Sequence, residues 1–166
     1  MQDLLPTAGR LGTLLKARGD TVGVAESSAG GLVSAALLSV PGASAFFVGG
    51  GVIYTARARA ALLGTTADAM AGIRSASEPY ALLLARTVRE RLGTTWGVAE
   101  TGAAGPDGNR YGDAPGHTCI AVSGPAERVA TVETGHGDRA ANMRAFALAL
   151  LDLLAEALDA QAGEVR

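Results

Sequence analysis

The chain has 166 residues, 48% hydrophobic and 18% charged, with 14 Lys plus Arg against 16 Asp plus Glu and a net charge of -2. These figures suit one domain over residues 1–166 with a substantial core, and they argue against disorder and against a duplex nucleic-acid binder, which carries a basic face. The single cysteine, Cys119, excludes an internal disulfide, and no segment resembles a secretory leader or a membrane span, so a soluble cytoplasmic domain is expected.

Leu4, Leu5, Ala8, Leu11, Leu14 and Leu15 recur at helical spacing, and Gly19 is placed to end that helix. Thr21 to Glu26 is a short apolar run that reads as a strand. Gly30 and Gly31 then lead into a helix over 32–38, which Pro41-Gly42 ends. Phe46 to Tyr54 is a second strand in spite of Gly49, Gly50 and Gly51, and Arg57 to Leu63 is a short helix closed by Gly64. Ser77-Glu78-Pro79 starts a helix, with serine as N-cap and proline in the first turn, that runs to Leu92 and stops at Gly93. Thr95 to Glu100 is the third strand, and 101–116 is a long loop rich in Gly, Pro and Asp. His117 to Ser123 and Arg128 to Glu133 are β-rich runs joined by Gly124-Pro125, hence an antiparallel pair. Asp138 caps a last helix with Phe146, Leu150, Leu153, Leu154 and Leu158 in one stripe. This order predicts an α/β fold, a three-layer α/β/α sandwich whose mixed, mostly parallel sheet carries an antiparallel member.

The segment Gly23-Val24-Ala25-Glu26-Ser27-Ser28-Ala29-Gly30-Gly31 returns as Gly97-Val98-Ala99-Glu100-Thr101-Gly102-Ala103-Ala104-Gly105, identical at six of nine positions. Loops leaving the carboxyl ends of parallel strands converge on one crevice, which puts both copies at one candidate site. Ser27 lies at a strand–helix junction and reads either as the N-cap of the helix or as a nucleophile beside free backbone N–H groups; capping is the commoner use. Glu26 is a candidate base, and Glu26 with Glu100 a candidate acid/base pair. The glycines of the second copy allow a phosphate or sugar to approach the backbone, although neither standard nucleotide-loop pattern is present. Tyr54 leaves the second strand at the same edge, followed by Arg57 and Arg59 as candidate phosphate ligands. His117 and His136 lack metal-ligand spacing, so neither a metal nor a cofactor is expected. His117 reads as a strand-end hydrogen-bond partner and Cys119 as a core residue.

Ala25-Glu26-Ser27-Ser28-Ala29-Gly30-Gly31 resembles the AESCTGG signature of the CinA C-terminal-domain family. Further matches follow in order: Pro41 to Phe47, Gly51-Val52-Ile53-Tyr54, Ser77-Glu78, Thr101 to Gly108, and Gly137-Asp138-Arg139. Active members of that family are nicotinamide-nucleotide amidases, which convert nicotinamide mononucleotide to the nicotinate nucleotide and ammonia in pyridine-nucleotide salvage. The resemblance implies that Ser27 is the nucleophile and Tyr54 the active-site tyrosine, with Arg59 at the position of the family lysine. It implies that Ser28, Gly30, Gly31, Thr101, Gly102, Ala103 and Gly105 hold substrate and shape an oxyanion hole.

Several residues depart from the family pattern. Arg59 cannot take the serine proton as a lysine of lowered pKa does, because a guanidinium stays protonated. Ala29 stands for threonine, Ser28 for cysteine, and Asp113 for a lysine; Glu100 has no usual counterpart. Three readings follow. The first is the amidase, with Tyr54 or Glu26 as base. The second is an inactive paralogue acting as a nucleotide-binding or regulatory module. The third is a different hydrolase using Glu26 and Glu100. The expected partner is a small nucleotide, with no nucleic acid and no membrane, and apolar surface on the terminal helices is compatible with a homodimer.

Overall fold

The computed structural model describes residues 1–164. Its strands are β1 (Val22–Glu26), β2 (Phe47–Val52), β3 (Trp96–Ala103), β4 (His117–Ser123) and β5 (Arg128–Glu133). They form one sheet in the order β2-β1-β3-β4-β5. β1 is parallel to β2 and β3, while β3–β4 and β4–β5 are antiparallel, so β4 alone runs against the others. Helices α1 (Leu5–Arg18), α2 (Leu32–Leu38) and α5 (Arg139–Glu164) cover one face, and α3 (Ala56–Leu63) and α4 (Glu78–Leu92) cover the other. This is the expected three-layer sandwich.

Local chemistry sets the helix ends. Gly19, Gly64 and Gly93 adopt the left-handed conformation that closes α1, α3 and α4 and that side chains disfavour. Ser77 Oγ accepts the Tyr80 N–H at the start of α4, and Asp138 Oδ1 accepts the Ala141 N–H at the start of α5. The apolar stripes of α1 and α5 turn inward. Leu4, Leu11, Leu15, Phe146, Leu150, Leu154 and Leu158 are fully or almost fully buried around Trp96, each side chain stabilising the fold by about 1.5–3 kcal/mol. The exposed large apolar side chains include Val48 and Val52 on the edge strand β2, with Leu38, Leu62 and Leu92. No helix among the described residues is long and apolar enough to cross a membrane.

The two copies of the repeated segment lie side by side. Gly23 pairs with Gly97, Val24 with Val98 and Ala25 with Ala99, so β1 and β3 hold the echo in register. α4 crosses β3 at Gly97, where an added Cβ would overlap the Ala85 carbonyl oxygen. Only a glycine lets that helix backbone lie so close to the sheet.

Strand bounds differ from the sequence expectation at two places: β2 ends at Val52, two residues before the expected Tyr54, and β3 runs past Glu100. Thr101, Gly102 and Ala103 belong to β3 and not to the following loop, because β4 runs alongside and pairs them with Cys119, Thr118 and His117. A neighbouring strand satisfies their backbone groups, which outweighs the loop preference of a glycine-rich stretch. Gly102 suits this edge, since an added Cβ would run into the His117 carbonyl oxygen.

Candidate active site

The two carboxylates of the repeated segment are structural. Glu26 is fully buried and accepts the N–H groups of Gly31 (2.9 Å), Val33 (3.1 Å) and Ser34 (3.0 Å), together with the Ser34 hydroxyl (2.8 Å). It therefore caps α2, at the positive end of the helix where a carboxylate is favoured. Glu100, also fully buried, crosses to the neighbouring strand's loop. It accepts the N–H groups of Ser27 (3.1 Å) and Ala29 (2.8 Å), the Thr118 hydroxyl (2.8 Å) and the Ser28 hydroxyl. Burial pushes the Glu100 pKa above the usual carboxylate value, although its four donors pull the other way. With each carboxylate saturated by four donors and shut off from solvent, neither Glu26 as base nor the Glu26–Glu100 acid/base pair is supported. The N-cap reading of Ser27 falls as well: the residue at the N-cap of α2 is Gly31, no serine side chain caps the helix, and Glu26 does the capping.

What these bonds leave free is informative. The Gly30 N–H goes to the Ser27 carbonyl (3.0 Å), and those of Ser27, Ala29, Gly31, Val33 and Ser34 go to the two glutamates. Among the described residues, the Ser28 N–H and the Ser27 hydroxyl make no hydrogen bond. Ser27 is half-buried at the carboxyl end of β1 and opens on a cavity of about 550 Å³, a size within the ~300–1,000 Å³ usual for small-molecule sites.

That cavity brings together Ser27, Tyr54, Arg59, Thr101 and Gly102 from the sequence-derived set. Ser28, Ala103 and Gly105 line a smaller recess of about 190 Å³, which shares Tyr54, Gly102 and Asn109 with the main cavity. Gly30 and Gly31 line neither, and their N–H groups are already taken. Arg57 is exposed on α3 and stands apart from both. Arg139, absent from that set, donates through Nη1 to the Gly105 carbonyl (2.6 Å) and through Nη2 to the Tyr54 phenol oxygen (3.2 Å). Its motif at the head of α5 was legible, but its reach to a tyrosine 85 positions away was not. Tyr80, Arg110 and Tyr111 also line the cavity. Tyr80 reads in sequence as an ordinary buried helix residue, and the other two lie in a loop without periodicity.

The far wall is a braced loop. Asp113 is bound by Arg74 through both oxygens (2.6 and 3.1 Å) and by the Asn109 amide (2.8 Å), which hold its carboxyl below the usual range. Its negative charge is thus spent on Arg74 and is not turned on the cavity. Ala76 sits at φ 54, a left-handed conformation costing a non-glycine residue about 1–2 kcal/mol. Its N–H donates to Thr101 Oγ1 (3.2 Å), and its carbonyl accepts from His117 Nε2 (3.0 Å).

His117, buried as β4 begins, has acceptors at both ring nitrogens: the Glu133 carboxylate at Nδ1 and the Ala76 carbonyl at Nε2. Only the imidazolium donates from both. Burial opposes the charge, but Glu133, the Ala76 carbonyl and Asp113 outweigh it and raise the pKa above the ordinary 6.5. The folded state therefore holds this proton more tightly than the unfolded chain. The stabilisation is complete below about pH 6.5 and is lost as pH rises through the elevated folded value. In urea unfolding, the stability gap between wild type and His117→Gln should be wider at about pH 5.5 than at about pH 8.5. A gap that stays constant or widens with pH contradicts the charged assignment.

A family model described as the CinA C-terminal domain matches residues 5–158. A CinA-like protein of Anaeromyxobacter sp. (strain K) is 40% identical over 144 residues, 87% of this chain and 35% of that protein. A CinA-like protein of Prochlorococcus marinus (strain MIT 9313) is 44% identical over 112 residues, 68% of this chain and 26% of that protein. The matched stretch thus covers about a quarter to a third of the length of these curated relatives. Among solved structures, the competence/damage inducible protein CihA from Agrobacterium tumefaciens superposes with a TM-score of 0.86 at 29% identity, covering 95% of this chain and 96% of that one.

Proposed function

The chain belongs to the CinA C-terminal-domain family, and on that basis we propose that it hydrolyses the carboxamide of nicotinamide mononucleotide to the nicotinate nucleotide and ammonia, with Ser27 as nucleophile. The observation that carries this reading is a Ser27 hydroxyl that lines a ligand-sized cavity and makes no hydrogen bond among the described residues, next in the chain to an equally unbonded N–H on Ser28, a residue of the adjoining recess. The N–H of the residue after a nucleophile is a common oxyanion donor, because the turn that exposes the hydroxyl also aims that amide at the reacting carbonyl.

In this mechanism Ser27 Oγ attacks the carboxamide carbon and the Ser28 N–H receives the developing oxyanion. Tyr54 takes up the serine proton as it passes its own to the departing nitrogen, so ammonia leaves and an acyl-serine remains. Water then repeats the cycle and releases the acid. Of the two bases the sequence offered, Tyr54 remains: Glu26 is saturated by its donors, as is Glu100, and Arg59 cannot accept a proton. The Arg139 bond to its phenol oxygen fixes its position. The decisive experiment incubates the purified protein with nicotinamide mononucleotide and follows nicotinate mononucleotide and ammonia. Absence of both products sinks the proposal for this substrate.

A second reading rests on Arg59, which occupies the place of the family lysine. A site deprived of that base can retain its ligand without turning it over, as a nucleotide-binding or regulatory module does. That reading expects nicotinamide mononucleotide to bind without reaction, and Arg59→Lys to bring turnover where the wild type has none.

A further inference from the structure

Arg59 sits in the cavity wall with part of its hydrogen-bonding capacity unused. Its Nε is buried and has no acceptor. Nη1 reaches only the Tyr80 hydroxyl, at 3.3 Å, and the guanidinium carbon lies 5.5 Å from the Tyr80 ring centroid. Among the described residues, Nη2 makes no hydrogen bond and no carboxylate pairs with this arginine. The cavity lining includes two arginines, Arg59 and Arg110, and no Asp or Glu.

A guanidinium with an unused Nη2 beside a cavity free of carboxylates attracts anions. Nε itself is closed to the cavity, so a ligand meets the Nη1–Nη2 end, where two parallel N–H groups lie in one plane, a fork that matches the two coplanar oxygens of a carboxylate. A carboxamide matches it poorly. Its oxygen meets one donor, while its NH₂ is turned toward the other, so a donor faces a donor. We propose that Arg59 makes this cavity selective for the carboxylate form of its ligand, so that the acid is held more tightly than the corresponding amide. This rests on the pyridine-nucleotide reading above and adds to it: the site retains the product of its own reaction, and the acid inhibits turnover by occupying the Arg59 fork.

The test is calorimetric binding of nicotinate mononucleotide, nicotinamide mononucleotide and ribose 5-phosphate. It is done in the Ser27→Ala background so that the amide is not consumed, with Arg59 intact or replaced by Gln or Lys. With Arg59 intact, the acid should bind about tenfold or more tighter than the amide, roughly 1.4 kcal/mol. Arg59→Gln should bring the two to parity and leave ribose 5-phosphate unchanged. Arg59→Lys, which keeps the charge but not the fork, should retain an intermediate preference and shows that the effect is not a loss of fold. Equal affinities with Arg59 intact, binding by neither nucleotide, or a preference that survives Arg59→Gln overturns the proposal. Weakened ribose 5-phosphate binding in Arg59→Gln overturns it too, by placing a phosphate at the fork. Turnover without acid preference refutes only this inference; acid preference without turnover in the wild type refutes only the hydrolysis.

Discussion

Replacing Ser27 with alanine is expected to lower the turnover of nicotinamide mononucleotide by at least about 10³-fold, since removal of a serine nucleophile leaves only the rate supplied by binding and the oxyanion donor. The fold should hardly notice. The Ser27 hydroxyl makes no hydrogen bond among the described residues, and the Ser27 N–H that ties the loop to Glu100 survives the substitution. Stability should therefore stay within about 0.5 kcal/mol of wild type. This separation of activity from stability gives the experiment its force. A variant that keeps more than about a tenth of the wild-type rate would show that Ser27 is not the nucleophile.

Glu100→Leu is expected to be the most damaging single change to stability around the site, at about 3–5 kcal/mol. It strips the acceptor from two backbone N–H groups and two hydroxyls in a region closed to water. Glu100→Gln should be far milder, about 1 kcal/mol. Its carbonyl oxygen can serve the Ser27 and Ala29 N–H groups, while the Ser28 and Thr118 hydroxyls turn to accept from its NH₂. Urea unfolding of the three proteins checks the order. A Leu variant within about 1 kcal/mol of the Gln variant would show that the loop does not depend on this acceptor. The sign of the pH dependence is also determined. Burial raises the folded pKa of Glu100 above 4.5, so the folded state binds the proton more tightly. Stability from this group is complete below that value and falls as pH rises through the folded pKa. Glu100→Gln should remove that slope. The Leu variant should also lose turnover, because the loop carrying Ser27 and the Ser28 N–H loses its anchor.

The candidate site was legible in outline. The strand–carboxylate–hydroxyl–glycine pattern located the crevice, and Ser27, Tyr54, Arg59 and Thr101 do line one cavity. The roles inside it were less legible. Glu26 and Glu100 carry the same local sequence signal as catalytic carboxylates, an acid at a strand end beside a glycine-rich loop. Their four donors each decide otherwise, and those of Glu100 come from positions 18 to 73 residues away. Thr101 to Ala103 shows the same limit. Glycine and alanine there favour a loop locally, and the antiparallel neighbour β4 turns them into strand.

The sequence alone determined the elements and the ends of the helices, and the family motif in chain order. Those signals act over a few residues: a glycine that closes a helix at positive φ, a serine or aspartate that accepts the first N–H groups, an apolar stripe at helical spacing. Tertiary structure alone decided which polar groups are spent and which are free. Glu100 reaches the Ser27 loop because β3 pairs with β1 in register, and Arg139 reaches Tyr54 because α5 starts beside the end of β2. The Arg59 Nε is buried without an acceptor, and no carboxylate lines the cavity beside this arginine. A hydrogen bond needs its partner within about 3 Å and in line, and such proximity between distant segments follows from strand register and helix placement, which no local pattern encodes.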